Sequence, residues 1–427
     1  MTILVFVASL LAAMALGMPL AFSLLVSGVA LMLHLDQFDT QIVSQNLISG
    51  ADNFPLMAVP FFMLAGELMN AGGMSRRIVN SAMVWVGHFR GGLGYVAVFA
   101  ALVMASLSGS AVADTAALAA VLLPMMRKAG YRMDRSAGLI ASGGIIAPVI
   151  PPSIGFILFG VIGGVSISKL FMAGIVPGLM MGAALIVTWW LVAHNDKVEV
   201  ASKVPMRERV RVTADAFWSY LLAFTIIGGM KAGIFTPTEA AAMSAVYAFF
   251  VAVFVYKDLG LKDVPRVLLN SANLSAMLLY IITNAILFSF LMTHENIPQT
   301  IADWMLAQGL GAIAFLLFVN LLLLVAGTLM EPSSIVLILA PILFPVAVKL
   351  GIDPVHFGII MVVNMEIGMV TPPVGLNLYV ASGITKMGLT ELTVAVWPWL
   401  LTMLVFLIVI TYWPPLSLFL PRALGMM

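Results

Sequence analysis

Residues 368–377 read GMVTPPVGLN and interrupt the apolar segment 357–385, which is otherwise long enough to cross a membrane. A similar stretch, APVIPPS at residues 147–153, interrupts the apolar segment 136–165. Two consecutive prolines stop a helix, because each lacks an N–H and clashes with the preceding turn, and proline also suits the start of a new helix. Each segment is therefore predicted to form two half-helices around an unwound link with free carbonyl and N–H groups. A packing kink is the simpler explanation for one such break, but two breaks at equivalent positions favour a binding site.

The composition around these breaks is that of a polytopic membrane protein. Of the 427 residues, 62% are hydrophobic and 9% are charged, and the mean hydropathy is +1.11, whereas a soluble domain has about 25% charged residues. The chain has no Cys, which excludes disulfides, thiolate metal sites and Cys nucleophiles. The apolar start, residues 2–16, lacks a basic n-region and is interpreted as a membrane segment rather than a signal peptide.

The chain is predicted to contain two repeats, 1–194 and 215–427, joined by a polar linker at 195–214. Shifting the first repeat by 221 residues aligns several residues that fix backbone shape or loop position: Pro124 with Pro345, Lys128 with Lys349, Gly130 with Gly351, Pro151-Pro152 with Pro372-Pro373, and Pro177 with Pro398. Accidental matches in a chain rich in Gly and Pro are the alternative. Internal repeats of this kind are typical of secondary transporters.

The distribution of basic residues predicts that the two repeats are inverted relative to each other. Cytoplasmic loops of membrane proteins are rich in Lys and Arg. The loop at 127–135 has four such residues, whereas its counterpart at 348–356 has one Lys. Equivalent loops are therefore expected on opposite sides of the membrane. The linker and the basic loop at 257–266 are expected on the cytoplasmic side.

Segments 92–127 and 311–348 are predicted to be re-entrant helical hairpins. Both ends of the first segment are expected in the cytoplasm, and the small residues SLSGS at 106–110 permit a tight bend. Irregular backbone at such depth is tolerated only inside protein or against a water-filled cavity. Two short full spans in each place are the alternative. The predicted fold is all-α and polytopic, with about ten transmembrane helices, two hairpins and both termini outside.

Candidate binding residues concentrate at the hairpin tips and the helix breaks. Free carbonyls suit Na⁺, and the positive end of a half-helix suits an anion. No Lys or Arg lies in these stretches, so Ser153, Thr371 and Asn377 are expected to hold an anionic substrate, with Asp114 as a further candidate. The Ser and Thr hydroxyls of the tips could ligate a cation or simply cap the returning half-helix. Ionisable residues at membrane depth are functional candidates by default, and here they are Glu67, Asp114, Glu239, Glu331 and Glu366.

The sequence contains no P-loop, dinucleotide fingerprint or G-x-S-x-G motif. The chain is therefore predicted to be a transporter that draws on an ion gradient rather than an enzyme. An intramembrane enzyme would need a catalytic dyad or a metal cluster, and the hairpin tips offer neither. A passive channel is a third class, which saturable uphill uptake would exclude.

Three motifs resemble the large membrane subunit of the tripartite ATP-independent periplasmic (TRAP) transporters: SGSAVADT at 108–115, PPSIG at 151–155 and GMVTPPVGLN at 368–377. The resemblance runs along the whole chain and implies an elevator-type fold of the ion-transporter superfamily. It further implies a Na⁺-coupled importer of a small organic acid in the bacterial inner membrane that works by an elevator movement. It also implies two partners, a small four-helix membrane subunit on a separate chain and a periplasmic substrate-binding protein.

The same resemblance implies at least two Na⁺ sites, with no catalytic residue. The Na⁺ ligands that the resemblance implies for this chain are Ser108, Ser110, Gly143, Ile146 and Pro148 for one ion, and Gly327, Thr328, Gly368, Val370 and Thr371 for the other. A stand-alone Na⁺/anion symporter of the same inverted-repeat design is the alternative function. The substrate stays open among sialic acid, C4-dicarboxylates, sugar acids and keto acids.

Overall fold

The computed structural model describes residues 2–193, 198 and 202–427, and this described part consists of 21 α-helices with no β-strand. Seven helices are long and apolar enough to cross a membrane, or eight if the bent pair Met206–Asp215 and Phe217–Lys231 forms one span. The predicted all-α polytopic fold is confirmed. The seven include Ala312–Leu329 and Pro332–Lys349, the two helices of the second predicted hairpin, so both are long enough to span and re-entry there stays a prediction. The other expected spans that are absent from the seven are broken or shorter than 18 residues.

The helices that precede the predicted linker are α1 (Thr2–Ala15), α2 (Leu20–His34), α3 (Thr40–Ala51), α4 (Ala58–Ala71), α5 (Met74–Val86), α6 (Gly92–Ser108), α7 (Ala111–Lys128), α8 (Met133–Gly144), α9 (Ile154–Gly163) and α10 (Ile167–Ala193). The later helices are α11 (Met206–Asp215), α12 (Phe217–Lys231), α13 (Pro237–Phe250), α14 (Val264–His294), α15 (Ile297–Ala307), α16 (Ala312–Leu329), α17 (Pro332–Lys349), α18 (Pro354–Gly368), α19 (Leu376–Thr385), α20 (Leu389–Tyr412) and α21 (Pro415–Ala423). A 3₁₀ turn, Phe54–Met57, precedes α4, and a π-helical turn, Val251–Val255, continues α13.

The helix bounds follow the 221-residue offset read from the prolines. Shifting α7 by 221 residues gives 332–349, which are the bounds of α17, and shifting α10 gives 388–414, close to the bounds of α20. Pro124 in α7 and Pro345 in α17 lie at matched positions inside their helices. From α5 to α10 and from α15 to α20 the two halves therefore contain the same succession of helices. Their opposite orientation in a membrane stays a prediction.

Each hairpin returns through a helix whose first residue is capped by a side chain. Ser110 precedes α7, and its Oγ accepts a hydrogen bond from the Ala113 N–H at 3.4 Å. Glu331 occupies the equivalent position before α17 and accepts from the Ser334 N–H at 3.3 Å. Such caps satisfy N–H groups that have no partner within the helix. Capping is thus one role of these polar tip residues, as the sequence allowed.

Contacts between helices group most of the described helices into two bundles, which contact each other through α14 with α17 and through α4 with α6. Helices α1–α4 and α12–α14 pack on one another, and we call them the frame bundle. Helices α6–α10 and α16–α21 contain both hairpins and both broken helices, and we call them the hairpin bundle. The short helices α5 and α15 lie where the chain passes from the frame bundle to the hairpin bundle.

Short helices occupy stretches that the sequence analysis interpreted as loops, namely α3, α5 and α15. These helices have 11 to 13 residues and too few apolar residues to span a membrane, so a search for spanning segments overlooks them. The last apolar stretch of the chain is likewise two helices, because Trp413 and Pro414 separate α20 from α21.

The predicted linker is also partly helical. Residues 195–197 and 199–201 of it lie outside the described residues, and α11 occupies its second half. Helix α11 packs against α5, where the Trp85 Nε1–H donates to Thr213 Oγ1 at 2.8 Å and Arg77 pairs with Asp215 at 3.2 Å. The linker is therefore joined to the first of the two connecting helices.

Candidate cation and substrate site

The first helix break lies between the end of α8 at Gly144 and the start of α9 at Ile154. The intervening residues 145–153 form turns and are buried, and the Pro151-Pro152 peptide bond is cis. Ser153 caps α9, because its Oγ accepts from the Phe156 N–H at 3.2 Å. The N-terminus of α9 is therefore placed inside the protein, next to an irregular stretch of backbone.

The second break lies between Gly368, the last residue of α18, and Leu376, the first residue of α19. It has the same design, with a cis Pro372-Pro373 peptide bond. The Thr371 Oγ1–H donates to the Ile367 carbonyl at 2.8 Å, and the Thr371 N–H donates to the Gly368 carbonyl at 2.9 Å. These two hydrogen bonds turn the backbone that follows α18 back toward the end of that helix. The paired breaks predicted from the prolines are present in the structure.

The tip of the first hairpin contacts the first break. Gly109 has a left-handed backbone conformation, with φ of 61°, and a Cβ built on it would lie 2.5 Å from the Pro152 carbonyl oxygen. Only glycine combines this conformation with such a close approach. Deeper in the hairpin, a Cβ on Gly144 would lie 1.8 Å from Thr115 Oγ1, so α7 and α8 are also in close contact.

A buried carboxylate orients the hydroxyl of the first tip. The Ser108 Oγ–H donates to Asp114 Oδ1 at 2.5 Å, and Ser108 Oγ accepts from the Ser110 N–H at 3.2 Å. Because the single proton of Ser108 points at Asp114, its oxygen presents lone pairs to its other neighbours. Within the described residues, Asp114 Oδ2 is buried without a hydrogen-bond partner.

The tip of the second hairpin contacts the second break still more closely. A Cβ on Gly368 would lie 2.5 Å from the Cα of Gly327, so the backbones of α16 and α18 touch. The Gly375 N–H donates to the Thr328 carbonyl at 3.4 Å. Four of the residues implied for the second Na⁺ site, Gly327, Thr328, Gly368 and Thr371, are therefore brought together, with Val370 between the last two.

The residues implied for the first Na⁺ site lie in one region but in two groups. Ser108 and Ser110 are at the tip, next to the later part of the break. Gly143, Ile146 and Pro148 are in its earlier part, where the Gly143 carbonyl accepts from the Ile146 N–H at 3.2 Å. A carbonyl oxygen has a second lone pair, so this bond leaves it able to ligate a cation.

Three of the four candidates for substrate contact are fully buried. Asp114, Ser153 and Asn377 have no exposed surface, whereas Thr371 is partly exposed. The Asn377 Nδ2–H donates to the Ala141 carbonyl of α8 at 3.1 Å, which ties the second break to the first repeat. The structure therefore brings Asn377 toward the first break, and it places Ser153 in a capping role.

Around these sites, each repeat packs the half-helix that follows its break against the other repeat. Helix α9 packs on α17 and α18, where a Cβ on Gly155 would lie 3.2 Å from a Val362 methyl group. Helix α19 packs on α7 and α8, and the Arg127 guanidinium donates to the Thr385 carbonyl at 3.4 Å. Each half-helix that follows a break thus contacts the hairpin of the other repeat.

Several buried oxygen atoms around the breaks lack a hydrogen-bond partner within the described chain. An unpaired buried polar atom costs about 1–3 kcal/mol, so such atoms point to a ligand or to ordered water. Oxygen atoms are the donors that hard cations prefer, and the chemistry of this set fits Na⁺. The atoms are Asp114 Oδ2, Thr115 Oγ1, Ser142 Oγ, Asn364 Oδ1, Glu366 Oε2 and Asn377 Oδ1.

Asn320 was not among the predicted site residues; it lies in the most apolar hairpin helix and accepts a hydrogen bond from Asn364 of α18. A single Asn inside a long apolar stretch was the available signal. In the part of the chain that the structure describes, no group of three His, Asp or Glu side chains could hold a metal ion. A cation here would therefore be held mainly by carbonyl, hydroxyl and amide oxygens.

Comparison with known proteins places this arrangement among transporters. The family profile described as "Tripartite ATP-independent periplasmic transporter, DctM component" matches residues 7–416. The C4-dicarboxylate TRAP transporter large permease protein DctM of Rhodobacter capsulatus is 53% identical over 440 aligned positions, covering 100% of both chains. The 2,3-diketo-L-gulonate TRAP transporter large permease protein YiaN of Escherichia coli (strain K12) is 48% identical, covering 97% of this chain and 98% of that one.

A solved structure has the same fold. The crystal structure of the Alcanivorax borkumensis YdaH transporter, described as having an unusual topology, superposes with a TM-score of 0.64 and covers 87% of each chain at 15% identity. At this identity the likeness concerns the fold alone.

Proposed function

Because this chain belongs to the DctM component family of the tripartite ATP-independent periplasmic transporters, we propose that it imports a small organic acid across the bacterial inner membrane, driven by Na⁺. It receives the substrate from a periplasmic binding protein and works with a separate four-helix membrane subunit. The termini lie on the periplasmic side. The chain acts as the permease and catalyses no chemical step.

The single observation that supports this proposal best is the contact of each hairpin tip with a helix break. Gly109 meets Pro152 in the first repeat, and Gly327 meets Gly368 in the second. In secondary transporters, broken helices at the repeat interface present carbonyls to cations and half-helix N-termini to anionic groups. The tips and breaks thus provide both kinds of ligand within one bundle.

Sodium coupling is supported by the oxygen-rich character of both tips. Ser108 Oγ, with its proton directed at Asp114, and the carbonyls at Gly143, Ile146 and Pro148 would form one site. Gly327, Thr328, Gly368, Val370 and Thr371 would form the other, next to Glu331 and Glu366. Each Na⁺ that moves down a potential of 100 mV supplies about 2.3 kcal/mol for uphill uptake.

A small carboxylate is the substrate class that the relatives and the site favour together. The two relatives above are named for C4-dicarboxylates and for 2,3-diketo-L-gulonate, which are both small carboxylates. Since no Lys or Arg lies in the breaks or tips, the carboxylate would be held by the N-termini of α9 and α19, by Ser153, Thr371 and Asn377, and by the bound cations. Asp114 would act through the cation rather than on the anion, because like charges repel.

An elevator movement would slide the hairpin bundle past the frame bundle. Both candidate Na⁺ sites lie within the hairpin bundle, so a rigid-body movement would move ions and substrate together. Helices α5 and α15 connect the two bundles and would act as the hinges.

Uptake by the complete transporter in proteoliposomes tests the proposal. The chain, its small subunit and its binding protein would be tested against a panel of labelled carboxylates with an inward Na⁺ gradient, or with K⁺ as the control. We expect uphill uptake that requires both Na⁺ and the binding protein. Uptake that ignores the Na⁺ gradient would refute sodium coupling. Uptake by this chain alone would instead support a stand-alone Na⁺/anion symporter.

A further inference from the structure

A chain of hydrogen-bonded polar side chains crosses the apolar interior of the second repeat. The Asn364 Nδ2–H group donates to Asn320 Oδ1 at 2.7 Å and to the Asn320 carbonyl at 3.2 Å. Asn320 Nδ2–H in turn donates to Thr411 Oγ1 at 3.0 Å. His356 Nε2 lies 3.2 Å from the Thr411 carbonyl and Nδ1 lies 2.7 Å from Ser417 Oγ. The chain thus joins α16, α18, α20 and α21.

All five residues are buried, and the most exposed of them, Asn320, has only 7% of its surface accessible. Burying polar groups is costly unless they are paired, so apolar side chains would fill this space at less cost. A hydrogen-bonded polar network instead fixes one particular arrangement of the helices, and Asn364 Oδ1 is its one side-chain oxygen without a partner within the described residues. These hydrogen bonds therefore indicate that α16 and α18 must keep a fixed position relative to each other.

The amide pair lies directly below the second tip. Asn320 precedes Gly327 by seven residues on α16, which is about two helical turns. Asn364 precedes Gly368 by four residues on α18, which is about one turn. Gly327 and Gly368 are the residues whose backbones touch. A bond that fixes α16 against α18 therefore fixes the distance between their last carbonyls.

The network belongs to the second repeat only. At the 221-residue offset, Asn364 corresponds to Gly143, Asn320 to Phe99 and Thr411 to Trp190, so these positions lack the amide and hydroxyl groups that form the network. The first tip is organised instead by Ser108 and Asp114. A polar chain confined to one repeat points to a role at that repeat's own site rather than to a general need of the fold.

We propose that Asn320 and Thr411 are positioning residues of the second cation site. Acting through Asn364, they hold α16 against α18 and so set the spacing of the carbonyls of Gly327, Thr328 and Gly368. The inference rests on the proposed function, in which this site binds Na⁺. Neither residue touches the cation.

The variant Thr411→Val tests this role with the least disturbance. It keeps the shape of the side chain but removes the acceptor of the Asn320 amide, so Asn320 is free to turn its oxygen away from Asn364. We expect the Na⁺ concentration for half-maximal uptake to rise about 3- to 10-fold, the effect of losing one ordinary hydrogen bond. At saturating Na⁺, the maximal rate and the KM for the carboxylate should stay unchanged. Asn320→Ala should shift the Na⁺ dependence in the same direction.

Thr188→Val is the matched control. It removes a buried hydroxyl that bonds to Thr402 Oγ1 at 2.6 Å and likewise joins a helix to α20, but forms no bond to Asn320, Asn364 or Thr411. We expect its Na⁺ dependence to equal that of the unmodified protein. An equal shift in Thr188→Val and Thr411→Val would show a general loss of packing and would overturn the inference.

Measurements on the complete transporter in proteoliposomes distinguish a failure of the proposed function from a failure of the positioning role. Sodium-independent uptake by the unmodified protein would refute the proposed function, and this inference with it. Sodium-dependent uptake whose half-saturating Na⁺ concentration is the same in the unmodified protein, Thr411→Val and Asn320→Ala would overturn the positioning role alone.

Discussion

Gly368 has no space for a methyl group, because a Cβ there would lie 2.5 Å from Gly327 Cα and 2.7 Å from the Gly327 carbonyl carbon. Both atoms belong to the backbone and cannot rotate away. A substitution would therefore push α16 off α18, and overpacking of this kind costs about 1–3 kcal/mol. The substitution would therefore change the spacing of the carbonyls that we assign to the second Na⁺ site.

We therefore expect Gly368→Ala to reduce Na⁺-driven uptake by at least about tenfold, since displaced carbonyls lose affinity for the ion. Gly383→Ala is the control, because a Cβ at Gly383 meets no atom of the described residues within 4 Å. Uptake in proteoliposomes and the amount of monodisperse protein measure function and folding separately. Normal uptake by Gly368→Ala would contradict the close contact as a functional feature.

Ser108→Ala tests the first Na⁺ site at the level of one hydroxyl. The change removes a candidate ligand and also leaves the Asp114 carboxylate buried without its donor at 2.5 Å. Hydrogen bonds to charged groups are worth about 1.5–3 kcal/mol, so the half-saturating Na⁺ concentration should rise about tenfold or more.

Ser27→Ala provides the comparison for that experiment, because Ser27 is also buried but donates only to the Leu24 carbonyl of its own helix, at 3.0 Å. Its Na⁺ dependence should be unchanged. If both variants show the same Na⁺ curve as the unmodified protein, Ser108 is not a ligand.

At the scale of the elements, prolines and glycines made the helix breaks predictable. A pair of prolines excludes a continuous helix for local reasons, so the interruptions near Pro151 and Pro372 could be located from sequence without knowledge of their surroundings. The equal spacing of these residues also predicted the correspondence of α7 with α17. Hairpin tips were located through small residues and capping side chains, which act locally as well.

The connecting helices could not be predicted in the same way. Helix α5 is short and amphipathic, and its stability depends on distant partners: Arg77 pairs with Asp215 and Asp258, and its guanidinium lies 3.8 Å from the centre of the Tyr256 ring. Such contacts join residues more than a hundred positions apart. The Asn320–Asn364 pair is hidden for the same reason, since nothing in the local sequence states which polar group an isolated Asn will meet.

At the scale of the whole molecule, the two bundles meet along surfaces that differ in character. Gly66 of α4 faces the first tip, where a Cβ would lie 3.5 Å from Ser108 Cα. Farther along, an apolar cavity of about 570 Å³ lies between α6 and α10 of the hairpin bundle and α12 of the frame bundle, with Val103 and Ala223 among its lining residues. Smooth apolar surfaces and loose packing are compatible with sliding, whereas interdigitated polar contacts are not.

Cross-linking across this cavity tests whether the bundles move relative to each other. The chain has no native Cys, so a Val103→Cys/Ala223→Cys variant can be joined by a cleavable bifunctional thiol reagent without background. We expect cross-linking to stop Na⁺-driven uptake and a reductant to restore it, because a rigid-body movement cannot occur while α6 is tied to α12. A monofunctional reagent on the same variant controls for filling of the cavity.

The variant Thr188→Cys/Thr402→Cys provides a second control. Its cross-link joins α10 to α20 within the hairpin bundle, where the two native hydroxyls are 2.6 Å apart, and should leave uptake intact. Full transport by the cross-linked Val103→Cys/Ala223→Cys protein would show that the bundles stay fixed, and the elevator movement would then have to be abandoned in favour of local opening at the tips.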